Sequence, residues 1–273
     1  MICLICLLFS LIITLLLNYN SFSNILLIFV ELIGFFLCGL ILSVLIAELL
    51  AFIYNRKCKK VIVPKKIFHF FTLSYCKLVC WFCGIKIIYK GIDKIDYNRE
   101  YLFISNHQSN FDPLVLIKAF PRLKLTFLMK QELMKIKILS NYLSAAGFYS
   151  LDRNNNREGL KTILNVIEAC KSRTVGVFPE GTRSLNGELL PFRDGIFKVA
   201  HKTNADILIC ALDNTRYIKK RFPFRRTKVV IDICGIISNE EAKNMTTIEI
   251  GDNVSSVIKE SIMKNKEEYK FYE

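Results

Sequence analysis

The chain has 273 residues, of which 52% are hydrophobic, and its mean hydropathy is +0.32. This length allows one large domain, or one domain with an appendage, and the hydropathy excludes an ordinary soluble enzyme. The formal net charge of +14 suits nucleic acid, anionic membranes or acidic substrates. The sequence contains no zinc-finger or RNA-recognition signature, so we expect no nucleic-acid partner.

The hydrophobic excess lies at the N-terminus. Ile2–Leu17 carries no charge, and residues 25–53 carry only Glu31 and Glu48, near the two ends of that stretch. A helix needs about 20 apolar residues to span a bilayer, which the second stretch provides and the first misses by about a turn. We predict a two-helix membrane anchor whose hairpin spans or dips into the bilayer. A signal peptide is the alternative for the first stretch, although the positive n-region of such peptides is missing.

Basic residues follow the second stretch, with six Lys or Arg between positions 56 and 66. The positive-inside rule keeps such a cluster in the cytoplasm, so we expect the rest of the chain on the cytoplasmic face of a membrane. Residues 216–228 contain seven more Lys or Arg together with three aromatic residues. Beside a membrane anchor this segment favours anionic lipid headgroups, and a solvated loop is the alternative.

The ten cysteines include three, Cys76, Cys80 and Cys83, at helical spacing. This spacing is typical of a buried or membrane-facing helix side. A metal site needs a fourth ligand at suitable spacing, and His69 is a weak candidate, so we predict no metal. A cytosolic domain keeps its thiols reduced.

After Pro64, an amphipathic stretch runs to Phe82 and is expected to lie along the bilayer surface. Beyond it, short β-branched runs alternate with helical patterns, which is typical of an α/β sheet with helices on its faces. The predicted strands are 85–89, 101–105, 125–129, 148–151, 174–178, 207–212 and 229–237. The predicted helices are 113–120, 132–146, 156–171, 195–202 and 248–269. We therefore divide the chain into an anchor with its basic flank, residues 1–63, and a second domain, residues 64–273.

Three predicted strands end in polar turns, at Asn106-His107, Asp152-Arg153 and Pro179-Glu180-Gly181. Open α/β folds collect their functional sites beyond the carboxyl ends of the strands. The three turns are therefore expected to converge on one pocket.

His107 is the candidate catalytic base, with Asp112 as the group that orients it. Residues five apart lie about 140° apart around a regular helix, so the two cannot pair on one helical face. A curled turn, which Ser109 and Asn110 favour, would bring the carboxylate to the imidazole, as in a hydrolase triad without its serine. Asp112 also fits a helix N-cap before Pro113. Because no G-x-S-x-G nucleophile elbow is present, we expect His107 to deprotonate the substrate directly.

Residues 178–184, Phe-Pro-Glu-Gly-Thr-Arg-Ser, form the second candidate cluster. Gly181 allows close backbone approach, Arg183 is able to grip a phosphate with two hydrogen bonds, and Thr182 and Ser184 add donors. Alone, this cluster reads equally well as a charged turn.

Together these motifs resemble the glycerolipid acyltransferases, the lysophosphatidic acid acyltransferase family. Residues 106–112 match the NHxxxxD motif of that family, and residues 178–184 match its FPEGTRS motif at every position. Residues 147–153 and 191–197 resemble two further blocks, and the likeness covers roughly residues 84–237. The fourth block departs from the family pattern, because residues 206–210 lack the usual proline.

The resemblance implies a mixed sheet flanked by helices, and transfer of a fatty acyl group from a thioester to lysophosphatidic acid, giving phosphatidic acid. His107 would be the base and Asp112 its partner. Arg153 and Arg183 would hold the acceptor's phosphate, while Glu180 positions the acceptor or the arginines. The implied partners are membrane phospholipid, a lysophospholipid acceptor and an acyl donor, either acyl-coenzyme A or acyl-acyl carrier protein, with no other cofactor. The alternatives are remodelling of another lysophospholipid and a membrane lipid-binding protein without turnover.

Overall fold

A computed structural model describes residues 2–18, 25–57, 65–130, 136–151 and 156–269. Its centre is a seven-stranded mixed sheet with helices on both faces. The strands are β1 (Ile85–Lys90), β2 (Tyr101–Ser105), β3 (Thr126–Lys130), β4 (Tyr149–Leu151), β5 (Val175–Val177), β6 (Asp206–Asp213) and β7 (Thr227–Ile237). All seven predicted strands are confirmed within two residues at most of their ends, and so is the α/β class.

The sheet has the order β1-β7-β6-β2-β5-β3-β4. Strands β6, β2, β5, β3 and β4 run parallel to one another, whereas β7 pairs antiparallel with β6 and carries β1 beside it. The carboxyl ends of the neighbouring strands β2 and β5 therefore lie side by side on the same side of the sheet. Every residue of β2 and β6 is buried, which places these two strands at the centre of the core.

The helices are α1 (Ile2–Leu17), α2 (Ile25–Lys57), α3 (Lys66–Phe82), α4 (Asp112–Ala119), α5 (Lys137–Ala145), α6 (Asn156–Cys170), α7 (Lys198–Lys202), α8 (Ile218–Arg221), α9 (Asn239–Lys243) and α10 (Thr247–Tyr269). The predicted helices match α4, α5, α6, α7 and α10. The helix predicted at residues 132–146 begins at Lys137 in the structure, and most of its predicted residues before Lys137 lie outside the described residues. Two short helices were not predicted: α8 lies inside the basic segment 216–228, and α9 begins after Ser238, whose hydroxyl accepts a hydrogen bond from the backbone of Glu241. The basic segment is thus partly helical and not only a loop.

Side chains alternate between two hydrophobic layers along β2. Tyr101 and Phe103 join the layer formed with α3, α4 and α5, whereas Leu102 and Ile104 join the layer formed with α6, α7 and α10. Successive strand residues point to opposite faces of a sheet, so this single strand supports both layers. The three cysteines at positions 76, 80 and 83 are buried in the first layer, as their helical spacing predicts.

The two N-terminal helices pack against each other as an antiparallel hairpin. Ser10 donates a hydrogen bond to the backbone oxygen of Leu32 over 2.6 Å, and the Asn18 amide donates to Glu31 over 2.7 Å. Residues Ile25–Arg56 form the one described helix that is long and apolar enough to cross a membrane; Ile2–Leu17 is apolar but shorter.

The C-terminal part of α2 packs onto the sheet-bearing part of the chain. Ala47 and Ala51 are buried in the hydrophobic layer that contains α3 and α5. Glu48 accepts hydrogen bonds from the Asn141 side chain over 2.8 Å and from the Tyr142 backbone over 2.9 Å. The division predicted after residue 63 falls outside the described residues, but contacts across it are extensive.

Candidate active site

Asn106, the first residue beyond β2, connects this end of β2 to β6 through its side chain. Its side-chain amide donates to the backbone oxygen of Leu212 over 2.8 Å, and its carbonyl accepts from the backbone nitrogen of the same residue over 2.8 Å. The asparagine side chain thus continues the pairing between β2 and β6 after the backbone has turned away. The next residue, His107, is thereby placed at the carboxyl edge of the sheet.

The chain then curls before α4 begins, as we predicted. The backbone nitrogen of Asp112 donates to the oxygen of Ser109 over 3.1 Å, and the Asp112 Oδ2 atom lies 2.8 Å from Nδ1 of His107. The N-cap interpretation of Asp112 is wrong by one residue. Asp112 is the first residue of α4, Phe111 precedes it as the N-cap, and the carboxylate faces the preceding turn.

The Asp112 carboxylate accepts three hydrogen bonds on a single oxygen. Besides the imidazole, Oδ2 accepts from the backbone nitrogens of Gln108, over 2.6 Å, and Ser109, over 2.8 Å. The aspartate is fully buried, and 16% of the His107 side chain is exposed. Because an ionised carboxylate only accepts hydrogen bonds, His107 donates from Nδ1, which leaves Nε2 as the acceptor.

Two stacked phenylalanine rings support the imidazole from behind. The His107 ring stacks on Phe178 with a centroid distance of 4.3 Å and an interplanar angle of 13°, and Phe178 stacks on Phe127 at 5.3 Å and 7°. Phe127 in turn lies over Gly176, where an added Cβ would come within 2.2 Å of the ring. The stack couples the ends of β2, β3 and β5. In the sequence, Phe178 stood out only as the first residue of the FPEGTRS motif, and nothing indicated a role for Phe127 or Gly176.

Glu180 connects the two motifs through the backbone. Its Oε1 accepts from the backbone nitrogen of His107 over 2.6 Å, and its Oε2 accepts from that of Leu190 over 3.0 Å. Burial raises the pKa of the Glu180 carboxyl to about 7; the nearby Asp112 carboxylate adds to this rise, and the two backbone N–H groups oppose it.

Two further contacts close the site. The backbone nitrogen of Ser184 donates to the oxygen of His107 over 2.8 Å. Gly181 adopts a φ of +69° at the turn after β5, and the Arg193 side chain lies against it, so that a Cβ would be 2.9 Å from Nε. Arg193 belongs to a stretch that resembles the family, but the sequence did not indicate its position beside Gly181.

The structure therefore brings together His107, Asp112, Glu180, Gly181, Thr182 and Arg183. Thr182 and Arg183 are exposed, whereas the Ser184 hydroxyl is used locally, donating to Asn186 and accepting from the Gly187 backbone. Two of the three polar turns converge as predicted. Arg153 and the turn that contains it lie outside the described residues. Among the described residues, no group of three or more His, Cys, Asp or Glu side chains is placed to hold a metal ion.

Comparison with known sequences agrees with this geometry. The family described as Acyltransferase matches residues 86–213, a range that contains every group of the site named above. A 1-acyl-sn-glycerol-3-phosphate acyltransferase of Borreliella burgdorferi is 29% identical over 74% of this chain and 80% of its own length.

Two other relatives match a shorter region. A 1-acyl-sn-glycerol-3-phosphate acyltransferase of Saccharomyces cerevisiae is 33% identical over 58% of this chain, and a probable enzyme of the same name from Mycoplasma genitalium is 39% identical over 46%. The chain spans about half the length of these two relatives, 53% and 48% respectively.

A solved structure has the same fold. The crystal structure of the 1-acyl-sn-glycerophosphate acyltransferase from Thermotoga maritima superposes with a TM-score of 0.60. The superposition covers 72% of this chain and 79% of that one at 23% sequence identity. At this identity the likeness concerns the arrangement of strands and helices.

Proposed function

We propose that the chain acylates the free hydroxyl of lysophosphatidic acid to give phosphatidic acid, starting from the match of residues 86–213 to the family described as Acyltransferase. The observation that carries the proposal is the pairing of His107 with a buried Asp112 over 2.8 Å at the carboxyl end of β2. The FPEGTRS segment packs against this pair through Glu180 and Ser184. The names of the curated relatives support the same reaction.

In the proposed mechanism, Nε2 of His107 takes the proton of the acceptor's hydroxyl while the hydroxyl oxygen attacks the thioester carbonyl. The ester C–O bond forms, the C–S bond breaks, and the imidazolium returns the proton to the departing thiolate. Asp112 holds the tautomer in which Nε2 is basic and stabilises the transient imidazolium. A positioned base of this kind typically contributes about 10²–10⁴-fold to the rate.

We assign Arg183 and Arg153 to the phosphate of the acceptor. Arg183 is exposed and follows Glu180 by three residues, so its guanidinium is within the same segment that contacts His107. Glu180 has both carboxylate oxygens on backbone N–H groups, and we therefore assign it the role of holding His107 and the segment after Gly181 in register. The acyl donor is a coenzyme A or acyl carrier protein thioester, and no separate cofactor is required.

Transfer of a radiolabelled acyl group to a panel of lysolipids tests the proposal. The detergent-solubilised full chain should acylate lysophosphatidic acid faster than lysophosphatidylcholine, lysophosphatidylethanolamine or lysophosphatidylglycerol. His107→Ala should reduce transfer by about 10²-fold or more while the chain stays folded. A lower melting temperature is expected, because the substitution removes the ring that stacks on Phe178 and hydrogen-bonds to the buried Asp112. Preference for another lysolipid would support remodelling, which the missing proline at residues 206–210 suggests, and transfer within threefold of wild type by His107→Ala would remove the base assignment.

We further propose that the α1–α2 hairpin anchors the enzyme in a membrane with the sheet on the cytoplasmic side. The outer faces of both helices are apolar and exposed, and the two carboxylates of α2 have partners, Asn18 for Glu31 and Asn141 for Glu48.

The basic segment 216–228 lies beside α3, since Phe222 contacts Phe82 with ring centroids 5.1 Å apart. Phe82, Trp81 and Phe224 are 66%, 76% and 94% exposed. Exposed aromatic rings beside basic residues are typical of a surface that rests on anionic lipid.

Cysteine labelling in intact cells tests this orientation. Leu185 is 77% exposed beside the active site, so Leu185→Cys should react with an impermeant maleimide only after the cells are permeabilised. The native Cys58 should behave in the same way, in a background with Cys38→Ser. Labelling of either position from outside would reverse the orientation and favour the signal-peptide interpretation.

A further inference from the structure

A polar cavity lies on the far side of the sheet from His107, at the amino ends of the strands. Its volume is about 260 Å³, and its walls come from the segments that precede β2, β3, β4 and β5 together with the first turns of α3. The candidate active site lies beyond the carboxyl ends of β2 and β5. Because a strand rises about 3.3 Å per residue, the five residues of β2 keep the two places about 15 Å apart or more.

The cavity is strongly basic. Five cationic side chains and one carboxylate line it: Lys66, Arg99, Arg122, Lys124, Arg173 and Glu100. Arg99 is already paired with Asp206, and Glu100 accepts a hydrogen bond from the Thr174 hydroxyl over 3.2 Å. The remaining cations exceed the carboxylates, so an anion entering the cavity meets a positive potential.

Arg173 is the most informative of these residues, because it is 97% buried and only partly satisfied. Its Nη2 donates to the Tyr149 hydroxyl, and its guanidinium lies 5.3 Å from the centre of that ring. Nε and Nη1 are buried and have no hydrogen-bond partner among the described residues. These atoms carry three of the five N–H groups of the guanidinium. Burial lowers the pKa of Arg173, and the neighbouring Tyr149, Cys170 and Glu100 only partly oppose this shift.

A second buried donor lines the same cavity. Thr126 is 97% buried, and its hydroxyl has no hydrogen-bond partner among the described residues. Leaving a buried polar group unpaired costs about 1–3 kcal/mol, and more for a charged one. The cavity therefore combines a guanidinium with two unpaired nitrogens and a hydroxyl without a partner among the described residues, both of which suit a ligand rich in acceptor atoms.

We propose that this cavity binds a phosphate group that is either a monoester or free phosphate, at a place separate from the acceptor site assigned to Arg183. A phosphate has the charge to balance Arg122, Lys124 and Arg173, and enough acceptor oxygens for the unpaired donors. The phosphate belongs either to a lipid headgroup or to a soluble anion. Lys66 and His69 line the cavity from the first turns of α3, which follows α2, the helix proposed to leave the membrane. At this place the cavity is accessible both to a lipid headgroup and to a soluble anion.

Binding is tested with the full chain in detergent, using inorganic phosphate and dihexanoyl phosphatidic acid as probes at constant ionic strength. Both should bind saturably by calorimetry and raise the melting temperature, whereas dihexanoyl phosphatidylcholine should not. Arg122→Gln combined with Lys124→Gln should weaken binding at least about tenfold. Because both side chains are exposed, this double variant should fold normally, which the removal of the buried Arg173 does not guarantee. Lys243→Gln with Lys259→Gln, two exposed cations elsewhere, should leave binding within twofold.

The site and the source are separated by two comparisons. Binding that survives Arg183→Ala and is lost in the Arg122 and Lys124 double variant supports the cavity, whereas the reverse pattern, or no saturable binding of either probe, overturns it. Tighter binding of the short-chain lipid indicates a headgroup, and equal binding of the two probes indicates a free phosphate. Acyl transfer at His107 is measured in parallel, so failure of this proposal is distinguishable from failure of the proposed function.

Discussion

The Asp112 carboxylate and the His107 imidazole are joined by a 2.8 Å contact across a turn of only four intervening residues. The same carboxylate oxygen accepts the backbone N–H groups of Gln108 and Ser109. The local turn therefore builds the pair before any substrate arrives, and the pair does not depend on two distant segments meeting. The two backbone donors also hold the carboxylate in the orientation that reaches Nδ1 of His107.

Asp112→Asn tests whether this negative charge is needed. The amide oxygen is able to accept the backbone hydrogen bonds, but a neutral group does not stabilise the imidazolium. We expect the rate of transfer to fall several hundredfold or more, by analogy with catalytic triads, while the melting temperature changes little. Turnover close to that of wild type would mean that Asp112 only shapes the turn.

Arg183→Ala tests the assignment of the acceptor's phosphate. The side chain is exposed, so its loss should leave folding intact and raise the KM for lysophosphatidic acid about tenfold or more, since a hydrogen bond to a charged group is typically worth about 1.5–3 kcal/mol. The KM for the acyl donor should change less than twofold. Lys259→Ala, on the exposed side of α10, is the control. A larger rise in the donor's KM would assign Arg183 to the thioester carrier instead.

Gly181→Ala should disturb both the backbone and a neighbouring side chain. The φ of +69° is unfavourable for alanine by about 1–2 kcal/mol, and the new Cβ would lie 2.9 Å from Nε of Arg193. We expect a lower melting temperature and reduced transfer. Gly195→Ala is the matched control, because no atom lies within 4 Å of a Cβ there. Equal effects of the two substitutions would show that the turn after β5 tolerates a side chain.

Glu180→Gln should change how stability depends on pH. The pKa of Glu180 is raised to about 7, so the folded chain holds its proton more tightly than the unfolded chain, whose value is near 4.5. Its contribution to stability is therefore complete below about pH 4.5 and is lost as pH rises through about 7. Each pKa unit corresponds to about 1.4 kcal/mol, so the loss is at most about 3 kcal/mol.

Melting temperatures between pH 5 and pH 8.5 measure this effect. The wild type should lose stability across the interval relative to Glu180→Gln, whose uncharged amide contributes a constant amount. Glu188→Gln, at an exposed position nearby, should follow the wild-type curve. Parallel curves for wild type and Glu180→Gln would show that Glu180 does not titrate in this range.

The strands were predictable because their signal is local. In β2 and β6 the runs of apolar residues are short and bounded by polar turns, and the structure confirms both within one residue. The pair of His107 and Asp112 was predictable for the same reason, since the turn residues between them are adjacent in sequence.

The parts that were not predicted depend on contacts between distant residues. Phe127 and Gly176 lie in different strands, and only their pairing shows that the glycine makes room for the ring. Arg173 reads in sequence as one of many surface cations, yet it is 97% buried. The helices α8 and α9, with four and five residues, are too short to show a hydrophobic period.

The contacts of Glu48 and Asn55 with Asn141 have a mechanical consequence. With 33 residues, α2 is about 50 Å long, which exceeds the thickness of a bilayer's hydrocarbon core by about 20 Å. The C-terminal part of α2, beyond this thickness, is the part that packs against the sheet-bearing domain. In the proposed membrane enzyme, α2 is therefore attached to the sheet-bearing domain by packing and hydrogen bonds as well as by the chain itself. The tilt of the sheet against the bilayer, and the height of His107 above the headgroups, are fixed by this joint. The acceptor and the acyl donor are therefore expected to meet at a height above the bilayer that this joint sets.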